Sequence, residues 1–156
     1  MALHDDMPDV HRGDYVISTD PTRLDRRRTH DFLAHASYWA RDIPYEVVTH
    51  ALEHSLCFGL YAPAGQIGLA RVVTDYATVG YLADVFVLPE HRGRGLSKWL
   101  METVVAHPGL QGLRRFLLNT RDAHGLYRQT GFTPLSNPEW AMERFDPDVY
   151  RRGRTR

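Results

Sequence analysis

The chain has a single cysteine, Cys57, in 156 residues, which excludes an intramolecular disulfide. It sits in a strand-like apolar run and reads as a small buried hydrophobe. No apolar run approaches transmembrane length and no signal-peptide pattern opens the sequence, so a cytoplasmic protein that does not bind membranes is expected. Neither sign of charge is in excess, with 19 basic and 19 acidic residues. The whole chain therefore offers no electrostatic case for nucleic acid. Basic residues do cluster, at Arg26-Arg27-Arg28, Arg92/Arg94, Arg114-Arg115 and the tail Arg151 to Arg156, the last reading as a solvated tail. His50 and His54 stand four apart, as a metal pair could, but no third ligand suggests itself and no metal is expected. Internal repeats and low-complexity linkers are also missing. At this length one domain is expected, large enough to bury roughly two-thirds of its unfolded surface.

What is present is concentrated in residues 85–100. The β-branched, apolar run Val85-Phe86-Val87-Leu88 ends at Pro89, and a basic loop with Gly93 and Gly95 follows. Apolar residues then recur at Leu96, Trp99, Leu100 and Val104, which is helical spacing. A strand, a glycine-bearing turn and a helix in that order make an anion site, because the first amides of the helix lack intrahelical partners and its dipole favours negative charge. His91, Arg92 and Arg94 add cationic or hydrogen-bonding groups. A pyrophosphate is the expected ligand. The loop is not a P-loop, which needs Gly, four residues, then Gly-Lys-Ser/Thr, and it lacks the third glycine of the dinucleotide fingerprint, where Lys98 stands.

Along the chain, residues 1–13 mix charge, Pro and Gly and are expected to be loose. Tyr15–Ser18 reads as a strand, and Asp20-Pro21 as the start of a helix carrying Phe32, Leu33 and Ala36 on one side. Residues 37–44 read as a loop, and Val47, Val48, Ala51 and Leu52 mark a second amphipathic helix. Strands over 56–61, 66–74 and 79–88 follow, then the helix from Leu96, a strand over 113–119 and a short helix. Trp140 to Phe145 alternates like a final strand. Three antiparallel strands followed by a strand–helix–strand crossover imply an α/β (α+β) domain with a mixed sheet and helices on its faces, spanning residues 14–146, with 147–156 a basic tail.

Two motifs carry a family resemblance. Arg92-x-x-Gly95-x-Ser97 resembles the coenzyme A pyrophosphate loop of the GNAT superfamily of N-acetyltransferases, with Ser97 where the family has Gly or Ala. The segment containing Ala123, Leu126, Tyr127, Gly131 and Phe132 is similar to that family's C-terminal signature, a strand leading to Ala-x-x-Leu-Tyr closed by Gly-Phe. Thr120 stands where the family often has Asn. The resemblance covers residues 82–132 and implies the GNAT fold, a mostly antiparallel mixed sheet in which one parallel strand pair splays apart.

The resemblance also implies an acetyl-CoA-dependent N-acetyltransferase in which a primary amine attacks the thioester directly. The backbone of Val85, Phe86 and Val87 would hold the pantetheine arm. The amides of Arg92, Gly93, Arg94, Gly95, Leu96 and Ser97 would hold the pyrophosphate, with Asn119 and Thr120 contributing from the neighbouring strand. Tyr127 matches the family's donor to the departing thiolate, against the alternative of a packed, locally satisfied ring. Asp84, a carboxylate in an apolar run, either deprotonates or holds the amine or is simply paired with Arg71. Tyr81 is the second candidate base, facing the opposite side of a regular strand from Asp84 unless a bulge intervenes. Tyr38, Trp39 and Arg41, with Asp75 and Tyr76, are the expected acceptor-binding residues. A non-catalytic acyl-CoA sensor on the same fold is the alternative, and a homodimer stays open.

Overall fold

A computed structural model describes residues 7–153. Among these residues the strands form one six-stranded sheet in chain order. Its first strand is a correction to the expectation from sequence: Val10–Arg12 (β1) is not loose but pairs antiparallel with Tyr15–Ser18 (β2). The two-residue connection Gly13-Asp14 permits this hairpin, because Gly13 takes a φ of 57° at no steric cost. The rest of the segment expected to be loose, residues 1–6, lies outside the described residues, as do residues 154–156 of the tail.

Leu56–Ala62 (β3), Gly65–Thr74 (β4) and Val79–Val87 (β5) continue the antiparallel sheet, and Arg115–Leu118 (β6) joins β5 in parallel. Alternate side chains face opposite sides, and each side is covered by helices. On one side Phe58, Leu60, Val72 and Leu82 meet Trp99, Leu100, Met101 and Val104 of the helix Leu96–Ala106 (α3). Tyr127 of the short helix His124–Arg128 (α4) joins this cluster. On the other side Cys57, Leu69 and Phe86 meet Phe32, Leu33 and Ala34 of the turn that follows the helix Arg26–Asp31 (α1), and Val48 and Leu52 of Tyr45–Glu53 (α2). There Phe32 stacks on Phe86 with ring centroids 4.1 Å apart. Burying each such ring or aliphatic chain contributes about 1.5–3 kcal/mol. The expected mixed sheet with helices on both faces is what forms.

The first helical region is less regular than its spacing suggests. Asp20 caps only the 3₁₀ turn Pro21–Arg23, accepting the Thr22 amide, and Asp25 caps α1 through the Arg28 amide. A π-helical turn over Phe32–Ala36 follows, closed by the Ser37 amide on the Phe32 carbonyl at 3.0 Å. Its extra residue rotates the face, so Ala34 is buried and Ala36 is exposed.

The C-terminal expectations need two corrections. Trp140–Phe145 does not form a strand: apart from the 3₁₀ turn Pro138–Trp140 the segment is irregular and largely exposed. Its alternation is that of a strand, but it has no paired neighbour among the described residues, and a strand is stabilised only by pairing and a covered face. The basic tail is not wholly solvated, since Val149–Arg152 (α5) is helical and Tyr150 packs against the α1/α2 cluster. Among the described residues no helix is long and apolar enough to cross a membrane.

Candidate active site

The site grows from two irregularities in β5. The first is a bulge: Leu69 pairs with Phe86 but Arg71 pairs with Ala83, so β5 carries one residue more than β4 between these pairs. Asp84 takes up the excess with a φ of 54°, left-handed backbone that Asp tolerates better than most residues. The alternation is thereby reset, and Asp84 and Tyr81 come to line the same cavity. Sequence could not locate this bulge.

The second irregularity is a splay. The parallel ladder of β5 and β6 runs from Val79↔Arg115 to Leu82↔Leu118 and stops. Residues 83–87 have no partner on β6, so their backbone lines a gap. A cavity of about 590 Å³ opens there. Tyr81, Asp84 and Val85 line it from β5, Asn119 and Thr120 from the end of β6, and Tyr38 and Trp39 from the loop after the π turn.

Asp84 is fully engaged. One carboxylate oxygen accepts Arg71 Nε at 2.8 Å and the other accepts Trp39 Nε1 at 2.8 Å. The pair is mostly shielded, with side-chain exposures of 17% for Arg71 and 11% for Asp84. Of the two sequence alternatives for Asp84, pairing with Arg71 is realised, which leaves open lone pairs but no free oxygen. Asn119 Nδ2 donates to the Tyr81 hydroxyl at 3.3 Å, and Thr120 Oγ1 accepts the Ala123 amide, folding the turn into α4.

Tyr127 is buried, and its hydroxyl makes no hydrogen bond with any described residue. Burial, with smaller contributions from Tyr38 and Asp122, pushes the phenol up to about 12. It is held as a neutral donor at the edge of the same cavity.

Next along β5 lies a second cavity of about 300 Å³, lined by Val87, Arg92, Gly93, Gly95, Leu96, Ser97 and Lys98. Gly95 is the N-cap of α3 with a φ of 74°, and no side chain caps the helix. The first helix bond runs from the Trp99 amide to the Gly95 carbonyl. The amides of Leu96, Ser97 and Lys98 therefore precede any intrahelical acceptor and face this cavity's loop. The nearby cationic side chains have structural tasks: Arg92 Nε donates to the Val87 carbonyl at 2.9 Å, and Arg94 donates to the Tyr15 hydroxyl at 2.6 Å. His91 Nδ1 meets that same hydroxyl at 3.3 Å. Phe86, by contrast, points its ring into the α1/α2 core, leaving only its backbone to the gap.

Arg41, Asp75 and Tyr76 do not line either cavity. Asp75 instead closes its own turn, accepting the amides of Ala77, Thr78 and Val79 and the Thr78 hydroxyl, which holds its carboxyl far below the usual range. Tyr76 packs against the α3 side of the core. Two residues not expected from the sequence join the site. Arg121 places its guanidinium 3.9 Å from the Tyr38 ring centroid, and its amide donates to the Tyr38 hydroxyl. Phe145 stands at the cavity rim. Arg121 lies beside Thr120 but at no defining position of the C-terminal signature, and Phe145 belongs to no motif; the path of the loops brings both in. His50 and His54 stack on each other, and His54 Nδ1 meets the His50 carbonyl. Among the described residues no group of three potential metal ligands occurs.

A splayed parallel pair, a glycine loop at a helix N-terminus and a buried tyrosine beside the gap define the GNAT class of acetyltransferases, and sequence comparison agrees. Residues 53–134 match the Acetyltransferase (GNAT) domain. A Xanthomonas campestris protein described as a GNAT family member superimposes with a TM-score of 0.86 at 54% identity, covering 90% of this chain and 99% of that one. A Gibberella zeae protein assigned as an acetyltransferase is 37% identical over 138 residues, 74% of this chain and 77% of its own. A Deinococcus radiodurans structure shares the fold, with a TM-score of 0.71 at 19% identity over 92% of this chain and 96% of that one. The chain belongs to the GNAT acetyltransferase family.

Proposed function

We propose that this acetyltransferase uses acetyl-CoA and transfers its acetyl group to a primary amine. The observation that carries the proposal is the alignment of three features along β5. The amides of Leu96 to Lys98 suit a pyrophosphate, the side of Val85 and Phe86 that β6 leaves without a partner suits the amide-bearing pantetheine arm, with the Val87 carbonyl already taken by Arg92, and the Tyr127 phenol stands where the thioester sulfur would end. A neutral amine attacks the thioester carbonyl, the C–N bond forms as the C–S bond breaks, Tyr127 donates its proton to the departing thiolate, and the proton that the nitrogen sheds passes to solvent, from which the Tyr127 phenolate is reprotonated. Asp84 accepts an N–H from the acceptor on a remaining lone pair, with Trp39 and Arg71 holding the carboxylate in place. Tyr81 lies on the same side, close enough in register to serve as an alternative proton acceptor. Trp39 offers a ring face to a cationic acceptor before it loses its proton, beside Tyr38, one face of which already holds Arg121.

The test is thermal unfolding with and without acetyl-CoA, with NAD and ATP as controls, followed by thiol release against a panel of amines. A ligand at about a hundred times its Kd adds roughly 2.7 kcal/mol, several degrees for a domain of this size. A shift with acetyl-CoA and no matching shift with the controls is expected. An unchanged melting curve overturns the cofactor assignment; binding without thiol release from any amine overturns the acceptor class.

A further inference from the structure

The cavity between β5 and β6 is lined by three charged residues, Asp84, Arg121 and Asp122. Asp84 is neutralised within the protein, since Arg71 Nε lies 2.8 Å from its carboxylate. Arg121 and Asp122 are not neutralised. Among the described residues neither side chain makes a hydrogen bond or an ion pair, with the other or with any third group. The cavity therefore presents one uncompensated charge of each sign.

Arg121 is held in place. Its guanidinium lies over the Tyr38 ring, 3.9 Å from the centroid, and its backbone amide donates to the Tyr38 hydroxyl at 3.0 Å. Tyr38 meets Trp39 edge-on, with ring centroids 5.1 Å apart, and Trp39 is tied to Asp84. A guanidinium stacked through its flat face keeps its N–H donors at the edge, and that fork matches a carboxylate. Asp122 stands toward the reacting end, because its charge reaches the Tyr127 phenol and disfavours ionisation there.

These two charges constrain the acceptor. An amine arrives as an ammonium, which Asp122 suits and Arg121 repels. Only an acceptor that also carries an anion uses both. A phosphate would bring a second negative charge beside Asp122, and no second cationic residue lines the cavity to meet it. Arg121 and Asp122 are neighbours in the chain, so an ammonium and a carboxylate on one carbon form the smallest group that suits them. Trp39 and Tyr81, 41% and 38% exposed, leave ring surface for an apolar substituent.

We propose that the acceptor is an α-amino acid with an apolar side chain, its carboxylate held by Arg121 and its ammonium received by Asp122. This assignment rests on the acetyl transfer to a primary amine proposed above and names the class of amine.

The test is steady-state thiol release from acetyl-CoA with phenylalanine and leucine, each against the amine that lacks only the carboxylate, phenethylamine and isopentylamine. Arg121→Gln is expected to lower kcat/KM for the amino acids at least about tenfold, through KM, and to leave the two amines within about twofold. The basicity of each amine cancels in this comparison. Arg121→Lys keeps the charge without the fork and is expected to recover part of the loss. Asp122→Asn is expected to weaken both classes alike, since both carry the ammonium. Both positions are exposed, and the Arg121 amide bond to Tyr38 survives substitution, so the variants are expected to melt like wild type. Equal losses from Arg121→Gln in both classes would make Arg121 a clasp for Tyr38 and overturn the proposal. Release with the amines and none with the amino acids overturns it too, while leaving acetyl transfer to amines standing. Release with no amine of any kind overturns acetyl transfer to amines, and this assignment with it.

Discussion

Asp84 reaches Arg71 at 2.8 Å only because the β5 bulge turns its backbone to a φ of 54°. The strained residue and the shielded ion pair are therefore one device, and substitutions separate its parts. Asp84→Asn keeps a side chain that tolerates left-handed backbone and can still bond Trp39, so a loss of about 1–2 kcal/mol is expected. Asp84→Val adds a β-branched residue at positive φ and strands the Arg71 charge, for about 3–5 kcal/mol. Urea unfolding of the two variants checks the order; Val as stable as Asn would refute the coupling.

Two tyrosines govern alkaline stability. Burial pushes Tyr61 and Tyr127 each up to about 12 from an ordinary value of 10. Between these values the unfolded chain releases protons that the folded chain retains, so stability falls as pH rises from about 10 to 12. Below 10 both contributions are fully present. A tenfold difference in proton affinity between folded and unfolded chains is worth about 1.4 kcal/mol, so each tyrosine contributes at most about 3 kcal/mol. The Tyr61 hydroxyl is also buried without a hydrogen-bond partner among the described residues. Tyr61→Phe is therefore expected to be neutral or stabilising at pH 7 and to flatten the alkaline limb. Melting curves from pH 8 to 12 check both effects, and an unchanged slope would be the contrary result.

Elements with local signals were legible in the sequence. Gly93, Gly95 and the spacing of Leu96, Trp99 and Leu100 located the loop and α3, and Ala123 to Phe132 located α4. The splay was available only through the family resemblance, since nothing in the composition of Val85-Phe86-Val87 distinguishes paired from unpaired backbone. The bulge at Asp84 was hidden because a single added residue leaves no mark on an apolar run. Trp140–Phe145 was misread for a complementary reason: alternation records a tendency to pair, whereas a strand also needs a neighbour. Asp75 and Tyr76 are expected at the acceptor pocket only through the family resemblance, from the hairpin side, but the hydrogen bonds that consume Asp75 are local and hold it in its own turn.

The loop glycine separates fold from ligand binding. Gly95 takes a φ of 74°, and an added Cβ would meet only the Arg12 guanidinium, at 3.9 Å. Gly95→Ala is thus expected to fold at a cost of about 1–2 kcal/mol from left-handed backbone alone. It also brings a methyl group toward the space where the backbone would approach a pyrophosphate. Acetyl-CoA affinity should fall at least about tenfold, or 1.4 kcal/mol. Calorimetric titration of the folded variant checks this, and wild-type affinity would place the pyrophosphate elsewhere.

Tyr127 gives the sharpest prediction for the chemistry. Its ring fills part of the α3-side core, while its hydroxyl has no hydrogen-bond partner among the described residues and borders the cavity. Replacing it by Phe keeps the packing and deletes only the donor, so stability near pH 7 and acetyl-CoA affinity are expected to be nearly unchanged. If the phenol protonates the leaving thiolate, kcat should fall about 10²-fold or more, the usual scale of a general acid. A phenol pushed up to about 12 stays protonated through the neutral and mildly alkaline range, so wild type should show no loss of kcat from Tyr127 ionisation below about pH 10. An acyl donor with a less basic thiol leaving group needs less protonation, and the Phe variant should recover part of its rate with such a donor. Stopped-flow turnover with two donors of different thiol basicity measures this. Equal losses with both would leave Tyr127 as a packing residue, whereas recovery with the better leaving group would identify the proton it supplies.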